Sequence, residues 1–350
     1  MIKEVLKETT DCVSIVLHVP VELKDEFAFI QGQSITIRSF DQGEDVRRSY
    51  SICSSPLENE LRIAVKHVPG GYFSTLANTQ LKAGDSLEVM SPSGNFYTDL
   101  DASNAKNYVA FAAGSGITPV LSIIKTTLAS ETNSSFTIIY GNRNSGSVIF
   151  KEALEALKNK YMDRFTLIHV LSREKTDSEV NYGRISAQKC NQLAKLFDVC
   201  AFDEYFLCGP ESMIFNLREH LELSGVASHK IHFELFTTPV RTNGLIKDTV
   251  KMIPTETASL ITVKVDGRSF DFNLDFDSNN ILDAALAEGA DLPYACKGGV
   301  CCTCKAKLLE GEVEMEVNYG LEPDEVEQGF ILTCQAHPRS SKVVVDYDVK

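Results

Sequence analysis

The nine residues Cys296-Lys-Gly-Gly-Val-Cys301-Cys302-Thr-Cys304 hold four of the chain's ten cysteines, and Cys334 follows thirty residues later. With Cys302 set aside, the spacing is C-x4-C-x2-C plus one distant thiol, the ligand pattern of a [2Fe–2S] cluster. Two irons bridged by two sulfides need four thiolates converging on a compact diamond. One tightly turning loop supplies three, and Cys334 closes the open side. Gly298 and Gly299 are expected to give the loop positive-φ freedom and to let backbone N–H groups face the sulfurs. The competing reading is structural zinc, which usually takes two short C-x2-C knuckles where this chain has one. Cys302 sits between two ligands, so its side chain is expected to point away. The candidate metal ligands are Cys296, Cys301, Cys304 and Cys334.

Other stretches carry residue types suited to anionic or planar cofactors. Arg48-Ser-Tyr50-Ser51 places a cation, a flat aromatic and a hydroxyl together. Pro69-Gly70-Gly71-Tyr72-Phe73-Ser74 reads as a Gly-Gly turn opening a short helix, where backbone N–H groups can hold a phosphate. Gly114-Ser-Gly116-Ile-Thr118-Pro119 is a glycine-rich turn between a strand and a helix. It departs from the dinucleotide fingerprint, which ends in Gly or Ala. Pro in a first helical turn lacks an N–H that would be unpaired anyway. Ser172-Arg173 and Arg143 offer guanidinium forks for a phosphate. Each has a plain alternative: an exposed hairpin arginine, a core tyrosine, a ligand-free βα turn, solvated loop arginines.

Positioning these residues requires three kinds of architecture. Residues 1–104 show short alternating strands, such as Val13–Val19, Ser34–Arg38, Leu61–Val68 and Ser86–Met90, broken by turn residues. They predict an antiparallel β-barrel. Residues 105–236 alternate apolar strands (Asn107–Ala113, Phe136–Tyr140, Phe165–Val170, Glu204–Cys208) with helical stretches, predicting an α/β domain with a parallel sheet. Residues 237–258 lack periodicity, contain two prolines and read as a linker. Residues 259–350 open with a hairpin turning at Asp266-Gly267, then a helix from Asn280 stopped by Gly289, then the cysteine loop.

Composition narrows the function further. The net charge of −14 argues against nucleic acid, and no apolar run approaches the roughly 18 residues of a membrane span. From Ser259 onward, 8 Lys/Arg face 17 Asp/Glu. That acidity reads as solubility or as a docking face for a basic partner. The opening Met1-Ile-Lys-Glu-Val-Leu-Lys-Glu has no secretory core, and the cysteines read as reduced thiols and metal ligands. A cytoplasmic location is expected.

Arg48-x-Tyr50-Ser51 with Gly71-x-x-Ser74, and Gly114-x-Gly116-x-x-Pro119 with Cys208-Gly209-Pro210-x-x-Met213, resemble the ferredoxin–NADP reductase superfamily. The resemblance implies FAD held at its pyrophosphate by Arg48, Gly71, Phe73 and Ser74. Tyr50 would pack along the isoalloxazine, Ser51 would lie near its reactive nitrogen, and Lys66 and Val68 would line it. It implies a nicotinamide flanked by Gly114, Gly116, Thr118, Pro119, Cys208, Gly209, Pro210 and Met213. Glu234 and Phe236 would lie against the flavin. With Arg143, Ser172 and Arg173 on a 2′-phosphate, the expected coenzyme is NADPH, with NADH the alternative. Residues 259–350 are similar to plant-type ferredoxins of the β-grasp fold. The order FAD, NAD(P), ferredoxin is shared with reductase components of bacterial oxygenases. NAD(P)H surrenders two electrons together, whereas a [2Fe–2S] cluster carries one at a time, and a flavin converts between them. The expected partner is an oxygenase or another electron-acceptor protein. Reductases for ketosteroid hydroxylases or the hybrid-cluster protein share the layout, and a redox-sensing binding protein is the reading from another class.

Overall fold

The computed structural model describes residues 1–41, 43–236 and 258–349. The chain divides into two compact units, Met1–Phe236 and Thr237–Lys350. The expected linker lies outside the described residues except for Ala258, which opens a strand.

The first unit begins with β1 (Ile2–Thr9), β2 (Cys12–Leu17), β3 (Ser34–Asp41), β4 (Glu44–Ser51), β5 (Leu61–Lys66), helix α1 (Tyr72–Thr79) and β6 (Glu88–Val89). They pair antiparallel as β1-β2-β5 and β4-β3-β6, and a bridge from Ile52 to Ile63 links the two sheets. Strand periodicity sorts the side chains. Val13, Ile15 and Leu17 of β2 enter the barrel core with Ile35, Ile37 and Ile63. Cys12 and Ala64 instead join the core of the following α/β layer.

That layer contains β7 (Asn107–Ala113), α2 (Ile117–Ser130), β8 (Ser135–Asn142), α3 (Lys151–Lys160), β9 (Phe165–Leu171), α4 (Ala187–Leu193), β10 (Glu204–Cys208), α5 (Glu211–Leu223) and β11 (Ile231–Glu234). The sheet is wholly parallel in the order β11-β10-β7-β8-β9. The order therefore reverses between β7 and β10, and in open α/β sheets ligands bind at such a switch point, outside the carboxyl ends of the strands. All of α2 is buried except Lys125, Ala129 and Ser130, because barrel contacts cover the face turned away from the sheet. Ser122 Oγ donates to Ser54 O at 2.6 Å, Thr126 Oγ1 lies 2.9 Å from Ser55 Oγ, and Lys125 pairs with Glu58 at 2.9 Å.

The C-terminal carbonyls of α2 are covered by Arg164, which donates to Leu128 O (3.0 Å), Glu131 O (3.0 Å) and Ser134 O (2.8 Å). A helix end leaves such acceptors without intrahelical partners, and a cation there also opposes the helix dipole. Arg164→Met is expected to destabilise the protein by about 2 kcal/mol in chemical denaturation, since charged hydrogen bonds contribute on the order of 1.5–3 kcal/mol.

The second unit contains β12 (Ala258–Val265), β13 (Arg268–Asp275), α6 (Ile281–Ala287), β14 (Lys305–Glu310), β15 (Val313–Met315), α7 (Pro323–Glu327), β16 (Phe330–Leu332), β17 (Ala336–Pro338) and β18 (Lys342–Asp346). The main sheet runs β13-β12-β18-β14-β16, with β12 and β18 parallel and the remaining pairs antiparallel. The β12–β13 hairpin turns with positive φ at both Asp266 (51°) and Gly267 (69°). This is the two-residue turn whose twist matches the strands, and the Asp348 carboxylate accepts both N–H groups at 2.7 and 2.8 Å. Asn280 caps α6 by accepting from Asp283 N at 2.8 Å, and Gly289 leaves it at φ +88°. Packed on this helix and sheet, the chain from Leu292 to Cys304 wraps the thiols.

Candidate functional site

At the switch point the glycine-rich turn between β7 and α2 presses against the end of β10. A Cβ on Gly116 would lie 2.1 Å from Cys208 O and 2.9 Å from Gly209 N. Gly116 itself has an ordinary φ of −61°, so close approach alone demands glycine there. Gly114 is different: its φ is +55°, and its carbonyl accepts from Tyr140 Oη at 3.0 Å. Thr118 Oγ1 donates to Ser115 O at 3.0 Å, and Pro119 is buried in the first turn of α2. On the β10 side, Pro210 caps α5, and a Cβ on Gly209 would meet the Met213 side chain at 2.6 Å. Cys208 is fully buried, and burial pushes its thiol well above the ordinary range, with Glu234 adding to the effect. It is a neutral thiol rather than a nucleophile.

Glu234 ends β11 and meets the barrel here: Ser51 Oγ donates to Glu234 Oε2 at 2.9 Å. Loss of water raises the Glu234 carboxyl from its ordinary 4.5 to about 7, and the Ser51 hydroxyl opposes that rise. The sign follows from the raised value. The native state favours the protonated acid, a contribution fully present below about 4.5 and lost as pH rises through about 7. Glu234→Gln, which mimics the protonated acid, should match the parent's thermal stability near pH 4 and exceed it above pH 7. Equal pH profiles of Tm would contradict this.

Tyr50 packs its ring 5.4 Å from Phe73 at 49°, and burial raises its phenol to about 12 despite the opposing charge of Arg48. Arg48 is exposed and donates to Arg47 O at 2.7 Å. Ser74 Oγ accepts from Val68 N at 3.1 Å and closes the Gly70-Gly71 turn, where a Cβ on Gly71 would sit 2.6 Å from that hydroxyl. Lys66 pairs loosely with Asp11 at 3.7 Å, and its Nζ is the heavy atom that a Cβ on Gly114 would meet, also at 3.7 Å. Val68 and Phe236 are exposed, at 57% and 43%.

Beyond β8 and β9 the parallel ladder continues, with Arg173 N donating to Arg143 O at 2.8 Å and Ser172 N to Asn142 O at 2.9 Å. Arg143 and Arg173 are thereby neighbours, both exposed. A third arginine joins them. Tyr182 bridges in parallel to Leu171, and Gly183 N donates to Leu171 O at 3.0 Å, setting exposed Arg184 alongside. Sequence reasoning missed Arg184 because it follows an irregular loop whose return to the sheet has no periodic signal.

In the second unit the four chosen thiols converge. Cys296 and Cys301 sulfurs lie 3.1 Å apart, Cys334 interacts with both Cys296 and Cys304, and Gly298 N donates to Cys296 Sγ at 3.3 Å. The crowded sulfurs of Cys301 and Cys334, then the N–H groups of Gly298 and Val300, favour the Cys296 thiolate. Among the described residues no set of three or more His, Cys, Asp or Glu is arranged about a single ion. The thiols instead follow one another in a chain, Cys301 to Cys296 to Cys334 to Cys304. One expectation is corrected: the positive φ belongs to Lys297 (50°) and Gly299 (73°), not to Gly298. Lys297 tolerates it because its ammonium pairs with Asp283 at 2.7 Å and sits 4.6 Å over the Tyr294 ring. Gly298 contributes its N–H instead.

A separate cavity of about 380 Å³ is lined by Tyr97, Lys106, Glu204, His229, Lys230 and His232, among others. It lies at the amino ends of the parallel strands, away from Gly114 and Cys208, and none of the candidate residues lines it. Among the described residues no helix is long and apolar enough to cross a membrane.

Three domain families match the chain: an oxidoreductase FAD-binding domain at residues 2–97, an oxidoreductase NAD-binding domain at 111–219, and a 2Fe-2S iron-sulfur cluster binding domain at 263–339. The chain is 46% identical over 350 residues to a subunit of the 1,2-phenylacetyl-CoA epoxidase of Escherichia coli (strain K12), covering 100% of this chain and 97% of that one. It is 34% identical to the ferredoxin reductase component of 3-ketosteroid-9-alpha-monooxygenase from Rhodococcus rhodochrous, covering 99% and 95%. Its fold is similar to that of phthalate dioxygenase reductase, with a TM-score of 0.58 at 23% identity over 99% of this chain and 97% of that one. FAD, a pyridine nucleotide and a [2Fe–2S] cluster are thus the cofactors, and the converging thiols and the glycine turn at the switch point fit them.

Proposed function

The chain belongs to the three-domain reductase family that includes this 1,2-phenylacetyl-CoA epoxidase component, and from that premise we propose that it takes electrons from NADPH and delivers them singly to an oxygenase of that epoxidase kind. FAD, when bound, accepts a two-electron equivalent and releases electrons one at a time. The protein's part is placement, and no acid–base triad is needed. Arg48, Gly71, Phe73 and Ser74 would hold the flavin pyrophosphate, with Tyr50, Lys66 and Val68 along the ring system. Gly116 brings the turn before α2 onto Cys208, so Gly114, Thr118, Pro119, Gly209, Pro210 and Met213 shape one end of the nicotinamide slot. Ser51, Cys208, Glu234 and Phe236 are the proposed residues at the reacting ring. Glu234, whose carboxyl burial raises to about 7, can hold a proton on the Ser51 side of the slot. Cys296, Cys301, Cys304 and Cys334 are the proposed iron ligands. We place the domain edges at 1–104, 105–236 and 259–350, and the protein in the cytoplasm.

The observation that carries this reading is the 2.9 Å bond between Ser51 of the barrel and Glu234 at the carboxyl end of the parallel sheet. It joins the barrel to the parallel sheet at the switch point, which supports placing hydride transfer there. Turnover with purified oxygenase components tests the acceptor. Support of phenylacetyl-CoA epoxidation, and not of ketosteroid hydroxylation, is expected, and the reverse preference would sink it. The arginine row gives a second expectation. Arg173→Ala should raise KM for NADPH by about tenfold and leave NADH unchanged, the low end of what a charge-assisted phosphate contact contributes. An equal effect on both coenzymes would contradict a 2′-phosphate role.

A further inference from the structure

The residue after the last cysteine reaches back to the first turn of the cysteine loop. Gln335 is 8% exposed, and its Nε2 lies 2.7 Å from Cys334 O, 3.4 Å from Lys297 O and 3.6 Å from Cys334 Sγ. All three neighbours are acceptors, so the amide nitrogen, not its oxygen, must face them. Two hydrogens serve three acceptors, and a thiolate sulfur holding iron is the one that carries negative charge. Charge-assisted bonds are the stronger kind.

The same side chain organises the loop. The Lys297 carbonyl that it engages belongs to a residue with φ +50°, one of the few non-glycine residues in the left-handed region. That turn aims Gly298 N at Cys296 Sγ. Gly299 then passes so near that a Cβ there would lie 3.1 Å from Gln335 Cγ and 2.9 Å from Val317 O. The backbone of Gln335 is fixed in turn, its carbonyl accepting from Glu316 N at 3.0 Å. A buried amide held between the two halves of the ligand set has room for little motion.

We propose that Gln335 is a positioning residue for electron transfer that tunes the cluster, donating an N–H to the Cys334 sulfur and pinning Lys297 so that Gly298 donates to Cys296. This rests on the [2Fe–2S] reading of the four thiols. Donors to the sulfurs stabilise the reduced, more negative state and so raise the reduction potential. Losing them should lower it.

The test is redox titration of the full-length holoprotein, following the cluster by its electron paramagnetic resonance signal and the flavin by absorbance. Gln335→Leu removes the amide at similar size, and Gln335→Glu replaces the donor by a charged acceptor. Both variants are expected to retain iron, with the cluster midpoint shifted negative, further in the Glu variant, and the flavin midpoint unmoved. Excess NADPH should then leave a smaller fraction of the cluster reduced than in the parent. Midpoints equal to the parent's would overturn the proposal. Loss of iron from both variants would overturn it too, by making Gln335 a folding residue. A parent without iron or the resonance signal would instead remove the cluster reading on which the proposal stands.

Discussion

Cys304→Ala is expected to split the activity in two. NADPH oxidation with ferricyanide, which a reduced flavin can serve directly, should persist, whereas reduction of the oxygenase partner should be lost. Cys304 is buried in the core of its own unit and interacts with Cys334, so its removal leaves one side of the ligand set with a single thiol. Removing an outer partner of a metal ligand costs about 10–100-fold in affinity, and removal of a ligand itself should exceed that. Iron content, the visible spectrum and acceptor assays read the effect together. Retention of partner reduction at the parent rate would exclude Cys304 from the ligand set and reopen the place of Cys302.

The second large effect is predicted at Gly116. Alanine there is compatible with the backbone, whose φ is −61°, yet its methyl would lie 2.1 Å from Cys208 O. The turn and the end of β10 must part by about 1 Å, and displacement of that size in a reacting pair costs on the order of a hundredfold. Rapid-mixing measurements should show flavin reduction by NADPH slowed to that degree in Gly116→Ala, while chemical reduction of flavin and cluster by dithionite is unchanged. An unaltered rate with NADPH would mean that the turn does not border the reacting ring.

The parts of this molecule that speak through short spacing were legible in its sequence. The cysteine loop, the Asp266-Gly267 turn, the helix stop at Gly289 and the alternation from barrel to parallel sheet each depend on residues within a few positions of one another. Contacts made across the fold were not. Ser51 and Glu234 are 183 positions apart, and only strand order brings them within 2.9 Å. Arg164 covers the end of α2 from beyond the following strand, a job that no local pattern marks. The helix start is a smaller difference: Ile-Thr-Pro reads as turn, yet α2 already begins at Ile117, with Pro119 in its first turn where no N–H is owed. At the cysteine loop Gly299 is left-handed as expected, but the other left-handed residue is Lys297 and not Gly298. The Lys297 side-chain partners Asp283 and Tyr294 make that conformation tolerable, and neither is visible as a turn signal.

In the proposed reaction electrons enter as a pair from the nicotinamide and leave singly through the iron centre of the same chain. Anaerobic mixing of the holoprotein with NADPH, followed by absorbance and by freeze-quenched paramagnetic resonance, examines it directly. Bleaching of the flavin bands first, with the reduced-cluster signal rising after it in the same sample, is the predicted course. A bleached flavin beside a cluster that stays oxidised would contradict the account.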